Sequence, residues 1–159
     1  MKLSSYEGLQ KKVRQLKTPE IEVWTNQYAD RDYVIHLEIP EFTCICPKTG
    51  LPDFAIIKVD YRPAKDCLEL KSLKMYTIFY RDVGIFHEHL VNKLLDDMVK
   101  ACHPRWMKVS VEMNPRGGIY TAVEAEYEAP RPQGCGAESC PPRQAKGLTG
   151  MVQGKGKKK

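Results

Sequence analysis

From Tyr33 onward, apolar and polar residues alternate. Tyr33, Ile35, Leu37 and Ile39 fall on one side of an extended segment, which predicts a strand that Pro40 closes. Residues Thr43 to Asp53 break the pattern with Pro47, Gly50 and Pro52 and predict a loop. Alternation resumes from Phe54 to Arg62, with Ala55, Ile57, Val59 and Tyr61 sharing a face, as a second strand. Leu68 to Lys71 reads as a short extended piece, and Ser72 as the N-cap of a helix running through Tyr80. A second helix is expected from about Ile85 to Ala101, because Phe86, Leu90, Leu94 and Met98 form one stripe, and Pro104 ends it. Met107, Val109, Val111 and Met113 alternate in a third strand. Pro115-Arg116-Gly117-Gly118 makes a turn, and Ile119, Thr121, Val123, Ala125 and Tyr127 alternate in a fourth strand. The stretch before Asp32 is polar and weakly patterned.

The order is β-β-α-α-β-β, an α+β chain. Two hairpins would give a four-stranded antiparallel sheet with two helices on one face. The open sheet edges invite pairing with another subunit, so a homo-oligomer is expected.

Composition changes this picture at the C-terminal end. The chain has 159 residues, 42% hydrophobic, and a net charge of +5. Residues 130–159 hold seven Lys and Arg against the single acid Glu138, together with six of the eleven glycines and four of the eleven prolines. That segment reads as a basic tail, disordered because it has too little apolar surface to bury. Residues 1–129 hold eighteen Lys and Arg against nineteen Asp and Glu, so the expected domain is near neutral and is not a basic nucleic-acid binder. No apolar run is long enough for a membrane span and no signal-like segment opens the chain, so a cytoplasmic protein is expected. Six cysteines without a secretory context are expected to be reduced thiols.

One of those thiols stands in a loop suited to chemistry. Cys46 precedes Pro47 between two strands, and Asp53 lies across the Gly50 and Pro52 turns. A thiolate next to a proton donor suits attack on a polarised carbon whose heteroatom must gain a proton. A buried structural cysteine and a turn-capping aspartate fit the same local sequence. His87 and Glu88 open a helix, where Glu88 could accept a base edge with two adjacent N–H donors and His87 could move a proton. An ordinary polar first turn explains them equally. Lys71 and Lys74 at a helix start, with backbone N–H groups, could bind phosphate, as could Arg116 beside two glycines. Glu69 is a second candidate for a base edge. Solvated surface charge and a plain hairpin turn are the alternatives. The pairs Cys44-x-Cys46, His87-x-His89 and Cys135-x4-Cys140 lack standard zinc spacing, so no metal is expected. Without a Gly-x-Gly-x-x-Gly, any nicotinamide cofactor would bind outside a Rossmann fold.

Taken together, Glu41 to Ala55 resembles the active-site loop of the 7-cyano-7-deazaguanine reductases of queuosine biosynthesis, in their short, single-module form. Glu69-Leu70-Lys71-Ser72-Leu73-Lys74 looks like that family's signature, Glu-(Ser/Leu)-Lys-(Ser/Ala)-x-Lys. Phe86-His87-Glu88 and Pro115-Arg116-Gly117-Gly118 match in order, so the resemblance covers about Asp32 to Tyr127. It implies a tunnelling fold in which subunits join their sheets into a barrel, a decamer of two pentamers with sites between subunits. It implies that Cys46 is the nucleophile, forming a thioimide with the nitrile carbon, and that Asp53 is the general acid. Glu88 would bind the deazaguanine edge with His87 near the reacting nitrogen. Leu68, Glu69 and Leu70 would form the other wall. Lys71, Lys74 and Arg116 would hold the phosphates of NADPH, and two hydride transfers would give the aminomethyl product. Where some short members carry a protective second cysteine after the His-Glu pair, this chain has His89-Leu90-Val91.

Three other functions fit part of the pattern. An amidinotransferase would use the same cysteine on a cyano-deazaguanine in tRNA and need no NADPH. A zinc cyclohydrolase of the same fold class would contain metal. A purine-binding module would work without Cys46.

Overall fold

The structure, a computed structural model, describes residues 13–130. The expected disorder of the tail, and Cys135 and Cys140, lie outside the described residues. Of these, residues 13–129 belong to one compact unit.

A 3-10 turn at Val13–Gln15 precedes β1 (Val23–Thr25), β2 (Ile35–Ile45), β3 (Pro52–Arg62) and β4 (Asp66–Leu68). Helix α1 (Leu70–Phe79), a 3-10 turn at Tyr80–Asp82, α2 (His87–Cys102), β5 (Trp106–Arg116) and β6 (Ile119–Glu128) complete the order. Strands β2-β3-β5-β6 form the antiparallel four-stranded sheet expected from the alternation, and α1 and α2 are the expected pair of helices. The inward residues Ile57, Val59, Val109 and Val111 are fully buried and share one core with Tyr76, Leu90, Leu94 and Met98 of the helices. The other sheet face carries cross-strand charge pairs, among them Lys58–Glu112 at 2.6 Å and Lys108–Glu124 at 2.8 Å.

Four local expectations need correction. Pro40 does not end the first strand. It sits where the β2–β3 register shifts between Ile39 and Phe42. β2 is an edge strand, and a bulge there tolerates a residue without an N–H. The bulge also moves the inward positions from Ile35, Leu37 and Ile39 to Phe42 and Cys44. Secondly, Ser72 is not the helix cap. Glu69 is, its carboxylate accepting Lys71 N and Ser72 N at 2.8 and 2.7 Å, so Leu70 and Lys71 are helical. Thirdly, Arg116 belongs to the end of β5 and pairs with Ile119. The turn itself is Gly117-Gly118, with φ of 58° and 80°; positive φ at both positions is the two-residue hairpin geometry that glycine permits. Finally, the weakly patterned N-terminal stretch contributes β1, which pairs with β4 in a second, two-stranded sheet. Three residues are too few to show a period.

Candidate active site

The ends of the sheet and the start of α2 converge on one loop. After Ile45 the chain turns tightly: Cys46 N donates to Leu51 O at 2.8 Å and Gly50 N to Cys46 O at 2.9 Å. Gly50, at φ 70°, supplies the left-handed residue this turn needs. Ile45 also exchanges hydrogen bonds with the segment before α2, from Ile45 N to Val83 O at 3.0 Å and from Ile85 N to Ile45 O at 3.1 Å. That clamp fixes the cysteine loop against the N-terminus of α2, where His87 stands.

The two neighbouring cysteines have opposite environments. Cys44 points inward from β2 and is wholly buried. Burial first, and then the negative charge of Asp53, push its thiol up to about 12, so it stays protonated near neutrality. Cys46 is only partly covered. Burial works against its thiolate, but hydrogen bonds from the Thr49 hydroxyl and from the N–H groups of Thr49 and Lys48 outweigh it, leaving the thiol below its ordinary value. The Thr49 hydroxyl itself accepts Leu51 N at 3.3 Å, which leaves its O–H directed to the sulfur. Thr49 was not among the residues singled out in the sequence. A hydroxyl three residues after a cysteine, before a glycine, was the available signal.

Asp53 faces inward from β3 and is 3% exposed. Its Oδ2 lies 3.2 Å from His87 Nε2, and its Oδ1 takes Arg116 Nη1. Arg116 Nη2 lies 2.9 Å from the same His87 Nε2. Cys46, Asp53, His87 and Arg116 are thus gathered from a loop, β3, α2 and β5. Arg116 was expected on cofactor phosphate. Here its guanidinium stands on the Asp53 carboxylate, beside His87.

Glu69, Leu70, Lys71 and Lys74 stand on another element, the first turn of α1, with Leu70, Lys71 and Lys74 exposed and Leu68 buried behind them. The Glu69 carboxyl is held below its ordinary range, chiefly by the Lys71 and Ser72 N–H groups. Those N–H groups are therefore already satisfied. The expectation that they help bind phosphate does not hold in this conformation, and the lysine side chains are the available cations. Glu88 is exposed next to His87. A cavity of about 640 Å³ between residues 18–23 and α2, lined in part by Tyr76 and Asp97, includes none of these side chains. Among the described residues, no cluster of three or more His, Cys, Asp or Glu could hold a metal, and Cys44, Cys46, Cys67 and Cys102 are free thiols.

The family model described as QueF-like protein matches residues 52–132, just over half the chain. A protein of Elusimicrobium minutum is 57% identical over 112 residues, covering 70% of this chain and 84% of the relative. The chain belongs to the QueF-like family. The Elusimicrobium relative is named NADPH-dependent 7-cyano-7-deazaguanine reductase, as is one from Nitrosococcus oceani, 54% identical over 111 residues, 70% of this chain and 86% of that one. Among solved structures, the apo archaeosine synthase QueF-Like aligns with TM-score 0.57 and 26% identity, over 62% of this chain and 96% of that one. The QueF-like match contains Asp53, Glu69, Lys71, Lys74, His87, Glu88 and Arg116, and starts just after the Cys46 loop.

Proposed function

We propose that this chain reduces the nitrile of 7-cyano-7-deazaguanine to 7-aminomethyl-7-deazaguanine with two NADPH, through a thioimide on Cys46, in queuosine biosynthesis. The observation that carries it is the pairing of a thiol held below its ordinary value with a buried carboxylate–imidazole pair reached across the same loop. The names borne by relatives more than half identical agree with it.

The chemistry follows from the residues. The Cys46 thiolate adds to the nitrile carbon, forming the C–S bond while the nitrogen takes one proton. Asp53, with His87 at 3.2 Å, is placed to deliver it. General acid catalysis of this kind contributes roughly 10²–10⁴ in rate. The adduct presents a C=N bond; once its carbon has gained a first hydride, breaking the C–S bond would return the Cys46 thiolate and leave an imine for the second hydride. NADPH supplies the hydrides when bound. Lys71 and Lys74, exposed on α1, fit its phosphates as side-chain cations, and Arg116 is near enough to the reacting groups to be a third. Glu88 offers two acceptor oxygens to the base edge beside His87. Leu68, Glu69 and Leu70 form the other wall, with Glu69's carboxylate oxygens already engaged by the helix start.

In one chain the α1 group and the Cys46 group stand on separate elements. We therefore place the complete site between copies, in a homo-oligomeric barrel of the tunnelling-fold type. The edges of β2 and β6 are open, and Ile119 and Tyr120 at the start of β6 are 70% and 80% exposed. No helix among the described residues is long and apolar enough to cross a membrane, and a cytoplasmic location is part of the same proposal.

The likeness to the archaeosine synthase favours one second reading, an amidinotransferase that acts through Cys46 on a cyano-deazaguanine in tRNA. NADPH oxidation with 7-cyano-7-deazaguanine, with the product identified by mass, tests both. Two NADPH consumed per nitrile and an aminomethyl product support the reductase. No oxidation, with a mass increase on Cys46, overturns it in favour of the transferase.

A further inference from the structure

Two groups compete for one nitrogen. Arg116 Nη2 lies 2.9 Å from His87 Nε2, and Asp53 Oδ2 lies 3.2 Å from it. A guanidinium only donates, so its hydrogen bond needs the Nε2 lone pair. A carboxylate only accepts, so its hydrogen bond needs a proton on Nε2. One ring nitrogen satisfies one of these demands at a time. With Arg116 seated on Asp53 Oδ1 as well, a lone pair on Nε2 would let Arg116 donate to both partners, and the ring proton would then stand on Nδ1.

That arrangement lacks the proton which the proposed reaction needs. We propose that Arg116 is a latch on the proton donor: seated on Asp53 and His87 it keeps Nε2 unprotonated, and a phosphate-bearing dinucleotide that draws it away loads one proton there. The inference rests on the reductase reading for the identity of that ligand. Two observations support the movement. Arg116 is the last residue of β5, next to the Gly117-Gly118 turn, and its side chain is 48% exposed while the Asp53 side chain is 3% exposed. A ligand can therefore reach the guanidinium before the carboxylate behind it. When the guanidinium leaves, a buried carboxylate loses its counter-charge, which is strongly unfavourable unless a proton enters. The proton comes from solvent, binds His87 Nε2 and bridges to Asp53 Oδ2.

Other titratable groups act on the same carboxylate. Cys44 faces it from β2 and Cys46 from the loop, while Glu88 stands exposed beside His87 on α2. Cys44, pushed up to about 12, neither gives nor takes a proton near neutrality. Cys46 is a possible internal source, so the test is run on Cys46→Ala as well as on the unaltered chain.

The test is ¹⁵N NMR of the His87 ring at neutral pH, with calorimetry of NADP⁺ binding in buffers of different ionisation enthalpy. Expected are an unprotonated Nε2 in the free protein and an Nε2–H with uptake of about one proton when NADP⁺ binds. The free Arg116→Met variant, with no cofactor, is expected to show Nε2–H already and to bind NADP⁺ without further uptake. NADP⁺ binding with Nε2 unchanged overturns the latch and leaves the reductase reading intact. An unprotonated Nε2 in free Arg116→Met also overturns the latch, whatever NADP⁺ does. An Nε2–H in that variant but no NADP⁺ binding to the unaltered chain supports the latch on the pair and overturns the choice of NADPH as its ligand.

Discussion

Cys44 and Asp53 are register partners across β2 and β3, and both side chains face the core. This pairing sorts the two cysteines. The bulge at Pro40 sets the parity that turns Cys44 inward, and the strand ends at Ile45, so Cys46 emerges into the turn with Thr49. Iodoacetamide at pH 7–8 should therefore modify Cys46 first, with a midpoint below that of an ordinary thiol. Peptide mapping that finds Cys44 modified first would reverse the assignment. Cys46→Ala should abolish both turnover and the substrate adduct, whereas Cys44→Ala should retain the adduct.

Asp53→Asn removes the proposed acid but preserves the shape of its side chain. Formation of the Cys46 adduct, and turnover with it, should fall by about 10²–10⁴, while the nitrile still binds. Rapid-quench mass measurement of the adduct, beside calorimetry of nitrile binding, separates the two. An unchanged rate would remove Asp53 as the proton donor.

Much of this was legible in the sequence, and the omissions have physical reasons. Period-two alternation marked all four strands of the main sheet, and the 3.6-residue stripe marked α2, because both patterns report one buried face. Two things escaped. β1 and β4 are three residues each, too short for a period, and their pairing spans Val23 to Leu68. The strand extension past Pro40 escaped because proline usually ends a strand, and only its place on a bulged edge makes it tolerable. For the site, Cys46, Asp53 and His87 were nameable, but the contact of Arg116 with Asp53 joins residues 63 apart, and no local pattern encodes it.

The α1 start separates two roles of one residue. Glu69 caps the helix and is a candidate for the base pocket wall. Glu69→Gln keeps acceptor capacity and should lower the melting temperature less than Glu69→Ala does. If Glu69 also binds substrate, Gln should still raise KM for the nitrile. Lys71→Ala, by contrast, should raise KM for NADPH more than for the nitrile. The opposite order in steady-state kinetics would displace the cofactor site from α1.

A polar network inside the helical layer should govern stability independently of the site. Tyr76 donates to Asp97 Oδ2 at 2.7 Å and sits 3.0 Å from the Tyr80 hydroxyl, while Lys93 Nζ reaches Asp97 at 2.5 and 2.6 Å. Tyr76→Phe leaves buried oxygens short of a donor and should cost about 1–3 kcal/mol in denaturant unfolding. A change below measurement error would mean that solvent already satisfies Asp97.

The buried thiols and phenols also fix the alkaline limit of the fold. Cys44 and Cys102 are each pushed up to about 12, first by burial, from an ordinary value of 9.0. Burial raises Tyr61, Tyr76 and Tyr80 above their ordinary 10.0 as well. For each group the folded state holds the proton more tightly than the unfolded chain does. Between the two pKa values the folded state binds more protons, so stability falls as pH rises. The loss should begin near pH 9 with the cysteines and steepen above pH 10 with the tyrosines. Melting temperatures measured from pH 7 to 11 should follow that course, and Cys44→Ala with Cys102→Ala should flatten its first part. A first part unchanged in the double variant would assign the alkaline loss to other groups. Cys46 has the opposite sign, because its thiol lies below its ordinary value in the fold. It favours the folded state as pH rises through the thiol range, and Cys46→Ala should make the same decline slightly steeper.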